Sequence, residues 1–228
     1  MGELFLYLVT FLLYVIFPFC SSQDNLVPEK SINANQTLTS SIETFALGFF
    51  SPEHSTNYFL GIWYNTVPNT AIIWVANRES PLASPGVFTL GDDGDLVVLD
   101  EARKVKVWSS NVPVSAAARN GTTSLLMDTG NLVLRFGGDA LWESSDHPSD
   151  TMLPGMKISL NKKTGQQRRF TSWAELHDPQ PGKFILGIDP KRSWTAFYLE
   201  GKCFLCVKDP GGSLKRSLVI AVVQQQQG

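Results

Sequence analysis

Hydrophobic residues fall in two patterns along this chain. Residues 4–19 form an uncharged apolar run, Leu4-Phe5-Leu6-Tyr7-Leu8-Val9 through Phe17-Pro18-Phe19. Small residues Cys20-Ser21-Ser22 and polar Gln23-Asp24 follow it. Beyond it the apolar stretches are short, rich in β-branched residues, and broken by Gly, Asn, Asp and Pro. That punctuation predicts strands joined by tight turns. No window repeats apolar positions at helical spacing with caps.

The strand pattern repeats. Gly94-Asp95-Leu96-Val97-Val98-Leu99-Asp100 returns as Gly130-Asn131-Leu132-Val133-Leu134-Arg135-Phe136. Val107-Trp108-Ser109-Ser110-Asn111 follows the first copy and Leu141-Trp142-Glu143-Ser144-Ser145-Asp146 the second, with Ile73-Trp74-Val75-Ala76-Asn77 one unit earlier. Trp74, Trp108 and Trp142 are therefore 34 residues apart. A period of that length also suits tetratricopeptide helices, but the local pattern is that of strands. Asp93-Gly94 and Thr129-Gly130 mark hairpin turns. Three units result, the first covering 45–77. A lone small antiparallel sheet is marginal in water, so three must pool their apolar faces. One Trp per unit then fills the shared axis. The expected architecture is a closed, three-sided all-β prism with few exposed edges.

The N-terminal run has the apolar centre and small-residue site of a secretory signal peptide. It is shorter than the roughly 20 residues of a spanning helix, and Met1-Gly2-Glu3 lacks the usual basic residue. Cleavage is expected near Ser22–Gln23. A myristoylation signal would need Ser or Thr where Leu6 stands. Asn35-Gln36-Thr37 and Asn120-Gly121-Thr122 are glycosylation sequons and agree with secretion. Leu218 to Val223 is too short to span a bilayer. The expected location is extracellular, or the cell surface within a longer receptor.

Composition narrows the function. The chain has 228 residues, with 19 Lys and Arg against 21 Asp and Glu. Such a balance argues against a nucleic-acid binder and against an acidic disordered tail. Apolar residues make up 43% of the chain, enough for a packed core, and 18 Gly with 13 Pro suit a β fold rich in turns. Cys20 leaves with the signal peptide. Cys203 and Cys206 have no nearby partners for a zinc site and no βαβ context for a redox motif. They read as a local disulfide, or as thiols whose partners lie outside this chain.

Longer motifs carry a family resemblance. Leu47-Gly48-Phe49-Phe50-Ser51-Pro52, Tyr58-Phe59-Leu60-Gly61-Ile62-Trp63-Tyr64 and Trp74-Val75-Ala76-Asn77-Arg78-Glu79-Ser80-Pro81-Leu82 resemble the bulb-type (monocot mannose-binding) lectin domain. The matching version is that of plant S-locus glycoproteins and S-domain, or G-type lectin, receptor-like kinases. Asp146-His147-Pro148-Ser149-Asp150-Thr151-Met152-Leu153-Pro154-Gly155-Met156 fits too, as do Ser172-Trp173 and Asp178 through Pro190. The resemblance implies β-prism II, three four-stranded antiparallel sheets with pseudo-threefold symmetry, followed by a partial second β domain. The expected boundaries are a signal peptide at 1–22, the lectin domain at 23–155, the start of an S-locus glycoprotein domain at 156–200 and a divergent, poorly ordered tail at 201–228. Full-length relatives carry a Ser/Thr kinase. This chain has no kinase catalytic-loop signature and no Asp-Phe-Gly, so no enzyme activity and no cofactor are expected. The resemblance implies recognition of a glycan or a cell-surface protein, with a role of the pollen or self/non-self kind and oligomers with related receptors. The alternative is the extracellular fragment of a receptor kinase.

Bulb lectins hold mannose with Gln-x-Asp-x-Asn-x-Val-x-Tyr on one strand face, because alternate residues share a face. The second unit offers Gly91, Asp93, Asp95, Val97 and Leu99, and the third offers Met127, Thr129, Asn131, Val133 and Arg135. Losing the Gln amide and the Tyr phenol removes most of the hydrogen-bonding set. Decayed scaffold strands are favoured over working mannose sites. The candidates that remain are Asp93, Asp95, Val97, Asn131 and Val133. The first unit has no clear alignment. Other chemistry is weaker. Asp128-Thr129-Gly130 mimics half of an aspartic-protease dyad but occupies a hairpin turn. Asp92, Asp93 and Asp95 fail the calcium-loop pattern. His147 reads as a loop histidine, and His54 and His177 as isolated. Lys162-Lys163 and Arg168-Arg169 form a modest basic cluster.

Overall fold

The computed structural model describes residues 24–67, 71–115 and 117–188, and the backbone of 195–199 and 202–207. The predicted signal peptide lies outside the described residues. Short strands β1 (Asn25–Leu26), β2 (Ser31–Ile32) and β3 (Thr37–Thr39) come first. The first repeat is β4 (Phe45–Phe50), β5 (Phe59–Tyr64) and β6 (Ile72–Val75). The second is β7 (Val87–Leu90), β8 (Leu96–Asp100) and β9 (Val105–Ser109). The third is β10 (Thr122–Leu126), β11 (Leu132–Phe136) and β12 (Asp139–Glu143).

These strands form three four-stranded antiparallel sheets in the orders β3-β4-β5-β6, β2-β7-β8-β9 and β1-β10-β11-β12. Each repeat therefore supplies only three strands. The fourth comes from residues 24–39, which lay one short strand on each sheet in reverse order of the repeats. A first unit read as starting at 45 misses this contribution, because two- and three-residue strands leave no periodicity. Leu26, Ile32 and Leu38 are the buried residues of those strands.

The threefold is exact in register. Leu60, Leu96 and Leu132 are 36 residues apart and fully buried. Two residues on, Ile62, Val98 and Leu134 pair with Trp74, Trp108 and Trp142, and a bulge follows at the same place each time. The tryptophans keep a spacing of 34 because the connection before the third strand shortens along the chain, from 65–71 to 101–104 to 137–138. The three indoles meet edge to face at 5.9, 5.9 and 5.8 Å between centroids. That arrangement sets each positive ring edge against a negative face. Trp74 and Trp142 are buried and Trp108 half-buried, in one apolar cluster fed by all three sheets.

A hairpin of β13 (Ser159–Leu160) and β14 (Gln167–Arg168) follows. The last sheet is β15 (Phe170–Glu175), β16 (Asp178–Ile188), β17 (Thr195–Leu199) and β18 (Lys202–Val207), in chain order. Strand β18 lies within the 201–228 segment that the sequence pattern set apart as a tail. Residues 208–228 lie outside the described residues. Cys203 and Cys206 both lie in β18, and their side chains are also outside the description. The pairing of β17 with β18 shifts register between Leu205 and Cys203, so the two cysteines flank an irregularity in the strand.

Arg78 joins the prism to the last sheet. Its guanidinium is buried and donates to the carbonyls of Pro179 (2.6 Å), Thr171 (3.0 Å) and Ser172 (2.6 Å). Asp150 beside it accepts from the Trp173 indole N–H at 3.1 Å. Burial lowers the pKa of Arg78 and raises that of Asp150, and the attraction between the two opposes both shifts.

Candidate carbohydrate-binding faces

The sugar motif maps onto the outward faces of β5, β8 and β11. Each of the last two hairpins turns on a glycine with positive φ, Gly94 at 79° and Gly130 at 77°, where other residues would be strained. The next residue is Asp95 in the second repeat and Asn131 in the third. Both turn back to fasten the end of the third strand. The Asp95 carboxylate accepts from the Ser109 and Ser110 hydroxyls and from the backbone N–H of Asn111 (3.0 Å) and Val112 (3.3 Å). It is 3% exposed. Asn131 donates to Glu143 Oε2 (2.8 Å) and accepts from the Ser144 hydroxyl (3.1 Å) and the Ser145 N–H (3.0 Å).

The serines complete the device. Ser110 Oγ accepts the Leu96 N–H at 3.3 Å, and Ser144 Oγ accepts the Leu132 N–H at 2.9 Å. In the first repeat Asn77 Oδ1 accepts the Leu60 N–H at 2.8 Å. Asp95 and Asn131 therefore spend their polar atoms on the fold. This signal was present in the sequence, since Ser109-Ser110 and Ser144-Ser145 follow Trp108 and Trp142.

The leucines also supply the alignment that the first repeat lacked in sequence. Matching Leu60 to Leu96 and Leu132 puts Ser55, Asn57, Phe59, Gly61 and Trp63 at the motif positions. Phe59, fully buried, stands where mannose lectins have Asn. Gly61 pairs with Gly48 across β4 and β5. A Cβ on Gly61 would stand 2.6 Å from the Phe50 ring, and one on Gly48 3.1 Å from the Trp63 ring. Those rings occupy the face.

The other two faces are covered as well. In the third repeat Arg135 reaches back to the Met127 sulfur at 3.8 Å. Met127 is bonded to Asn131 through its backbone, so the side chain must cross Val133, which is 2% exposed. In the second, Lys106 Nζ lies 3.8 Å from Asp93 Oδ2, with both side chains about half exposed. Lys106 neighbours Leu99, so this pair spans Val97, 3% exposed. Asp93 Oδ1 also accepts the Asp95 N–H at 3.2 Å. Of the five sequence candidates, Asp93 is the exposed one and Asn131 is half-buried.

Asp128 holds the Ile42 N–H at 2.9 Å as a turn residue. Asn35 and Asn120 are exposed, at the turn before β3 and at the short helical turn before β10. His54 and His177 are not isolated. Their rings stand edge-on at 6.2 Å in a shallow groove with Glu53, Glu175 and Asp178. Among the described residues no three His, Cys, Asp or Glu are placed to hold a metal ion.

The profile of the D-mannose binding lectin family matches residues 71–174. G-type lectin S-receptor-like serine/threonine-protein kinase B120 of Arabidopsis thaliana is 40% identical over 202 residues, covering 86% of this chain and 24% of that protein. Receptor-like serine/threonine-protein kinase SD1-7 of the same plant is 33% identical over 223 residues, 97% of this chain and 26% of its own length. The chain thus spans about a quarter of the curated relatives it matches. Among solved structures, a monomeric monocot mannose-binding lectin from Gastrodia elata aligns with 53% of this chain and 96% of its own, at 19% identity and a TM-score of 0.39. The snowdrop (Galanthus nivalis) bulb agglutinin, complexed with methyl-α-D-mannoside, covers 51% of this chain and 91% of its own, at 19% identity and a TM-score of 0.37.

Proposed function

Because the chain carries a bulb-type lectin domain of the kind found in G-type lectin S-receptor-like kinases, we propose that it is a non-catalytic extracellular recognition module whose mannose faces are closed by its own side chains. One observation carries this reading. Phe50 with Trp63, the Asp93–Lys106 pair and Arg135 with Met127 each lie over the face where the motif would hold a sugar. A mannose ring would have to displace them and would find the Asp95 and Asn131 acceptors already engaged. The second face retains the most, because a half-exposed ion pair contributes little and opens readily. Residual glycan binding belongs there, through Asp93, and a shallow single site needs multivalency for useful avidity.

A glycan array probed with the full chain and with Asp93→Ala tests this. The expected result is weak mannose signal at most, lost in the variant. Strong mannose binding that survives Asp93→Ala would sink the proposal. Absence of any glycan signal would leave a protein ligand of the pollen or self/non-self kind as the target. Secretion and glycan attachment at Asn35 and Asn120 belong to the same reading, and peptide mapping of secreted protein reports both. A second reading, the recognition part of a longer receptor kinase, is favoured by the quarter-length coverage of its relatives. A longer transcript with a kinase frame would support it.

A further inference from the structure

Charge is segregated along this chain. Between Asp150 and Glu175 there are five cations, Lys157, Lys162, Lys163, Arg168 and Arg169, and no acidic residue. The rest of the chain holds 14 Lys and Arg against 21 Asp and Glu. The basic stretch folds as the β13–β14 hairpin, whose tip is a tight turn. Asn161 Oδ1 caps it by accepting the N–H of Lys163 (3.0 Å) and Thr164 (3.3 Å), and Gly165 takes a φ of 76°. Lys157, Lys162, Lys163 and Arg169 are exposed. Arg168 is the exception, held by Asp146 at 2.5 Å. At its base the hairpin is tied down by Gln167, which donates to the Ile188 carbonyl. A short hairpin thus presents clustered cations on an otherwise acidic body.

We propose that this hairpin is a docking site for an acidic polysaccharide, a polymer of sugar acids such as polygalacturonate. Three observations favour that ligand over other polyanions. Asn161, Thr164 and Gln166 stand between the cations; the turn engages the Asn161 and Thr164 side-chain oxygens, which leaves the Asn161 amide N–H, the Thr164 O–H and the Gln166 amide for sugar hydroxyls while lysines meet carboxylates. The tip, 161–166, has no apolar residue to enter a lipid interface. The hairpin carries no aromatic side chain on which a nucleic-acid base could stack. The site is separate from the three prism faces. The choice of a wall-type polymer rests on the extracellular placement proposed above; the cation cluster does not.

The test measures binding of the full chain to immobilised polygalacturonate, neutral mannan and phosphatidylserine vesicles, at low and high salt. The expected result is polygalacturonate binding that weakens steeply with salt and falls about tenfold or more in Lys162→Glu/Lys163→Glu. A matched reversal on the prism, Lys30→Glu/Lys104→Glu, should leave it nearly unchanged. Retention of binding in the hairpin variant, or equal loss in the prism variant, overturns the proposal. So does preference for the vesicles or for mannan. Both variants change exposed residues, and their thermal transitions report that the fold is intact. Failure here leaves the glycan-array result untouched, and the converse holds.

Discussion

Ser124 buries its hydroxyl in the third sheet at 0% exposure, with no hydrogen-bond partner among the described residues. The equivalent positions, paired with Ile62 and Val98, are Leu47 and Phe88. A desolvated hydroxyl therefore stands where the other repeats pack hydrocarbon. Ser124→Ala should stabilise the protein by about 1 kcal/mol, read from urea denaturation, and an equal loss would reveal a hidden partner. His147 is a second residue-scale case. Its ring stacks on Trp142 at 5.4 Å and 12°, and its carbonyl accepts the Trp74 indole N–H at 2.8 Å. Burial lowers its pKa from 6.5, with Asp146 opposing and Arg168 reinforcing. Above that value both folded and unfolded chains hold a neutral ring. As pH falls through it, the unfolded chain takes the proton first, so stability drops until the folded ring titrates too. The melting temperature should decline from about pH 7 to pH 5, and His147→Gln should flatten that decline. In sequence His147 is only a loop residue beside Pro148. The stack joins it to a Trp in the same repeat only after the chain has turned back, which no local pattern encodes.

At the scale of elements, the repeat was legible because each unit needs the same Leu and the same Trp, and the last two share the same turn glycine. The departure from the sugar motif was legible, since Gly91 and Met127 stand where the motif has Gln. The closure of the faces was not, because Lys106 and Arg135 reach their faces from bulged positions that shift the pairing by one residue. Arg78 lay in a recognised motif without a visible role. Its role is to clasp the β15–β16 hairpin through four carbonyls, Gln180 at 3.4 Å being the fourth, a fork that Lys cannot reproduce. Arg78→Lys should cost about 2 kcal/mol and render the 170–188 segment protease-sensitive before the prism unfolds. If denaturation and proteolysis both match the wild type, the clasp is not what holds that sheet.

At the scale of the molecule, three sheets share one core and one N-terminal segment. Leu26 contributes only half of a two-residue strand yet is fully buried. Leu26→Ala should cost about 2–4 kcal/mol and lower the midpoint of a single transition, as monitored by tryptophan fluorescence from the axial triad. A separate early transition would show that the third sheet opens alone. The reverse order of β1, β2 and β3 also imposes a timetable. Asn25 pairs with Leu125, so the first strand to leave the ribosome must wait for nearly all of the prism before it finds its partner. Contacts of such long sequence separation slow folding. Until β10 emerges, every earlier sheet already formed is part of a ring with its gap still open, and closure is a late step that the whole chain makes together.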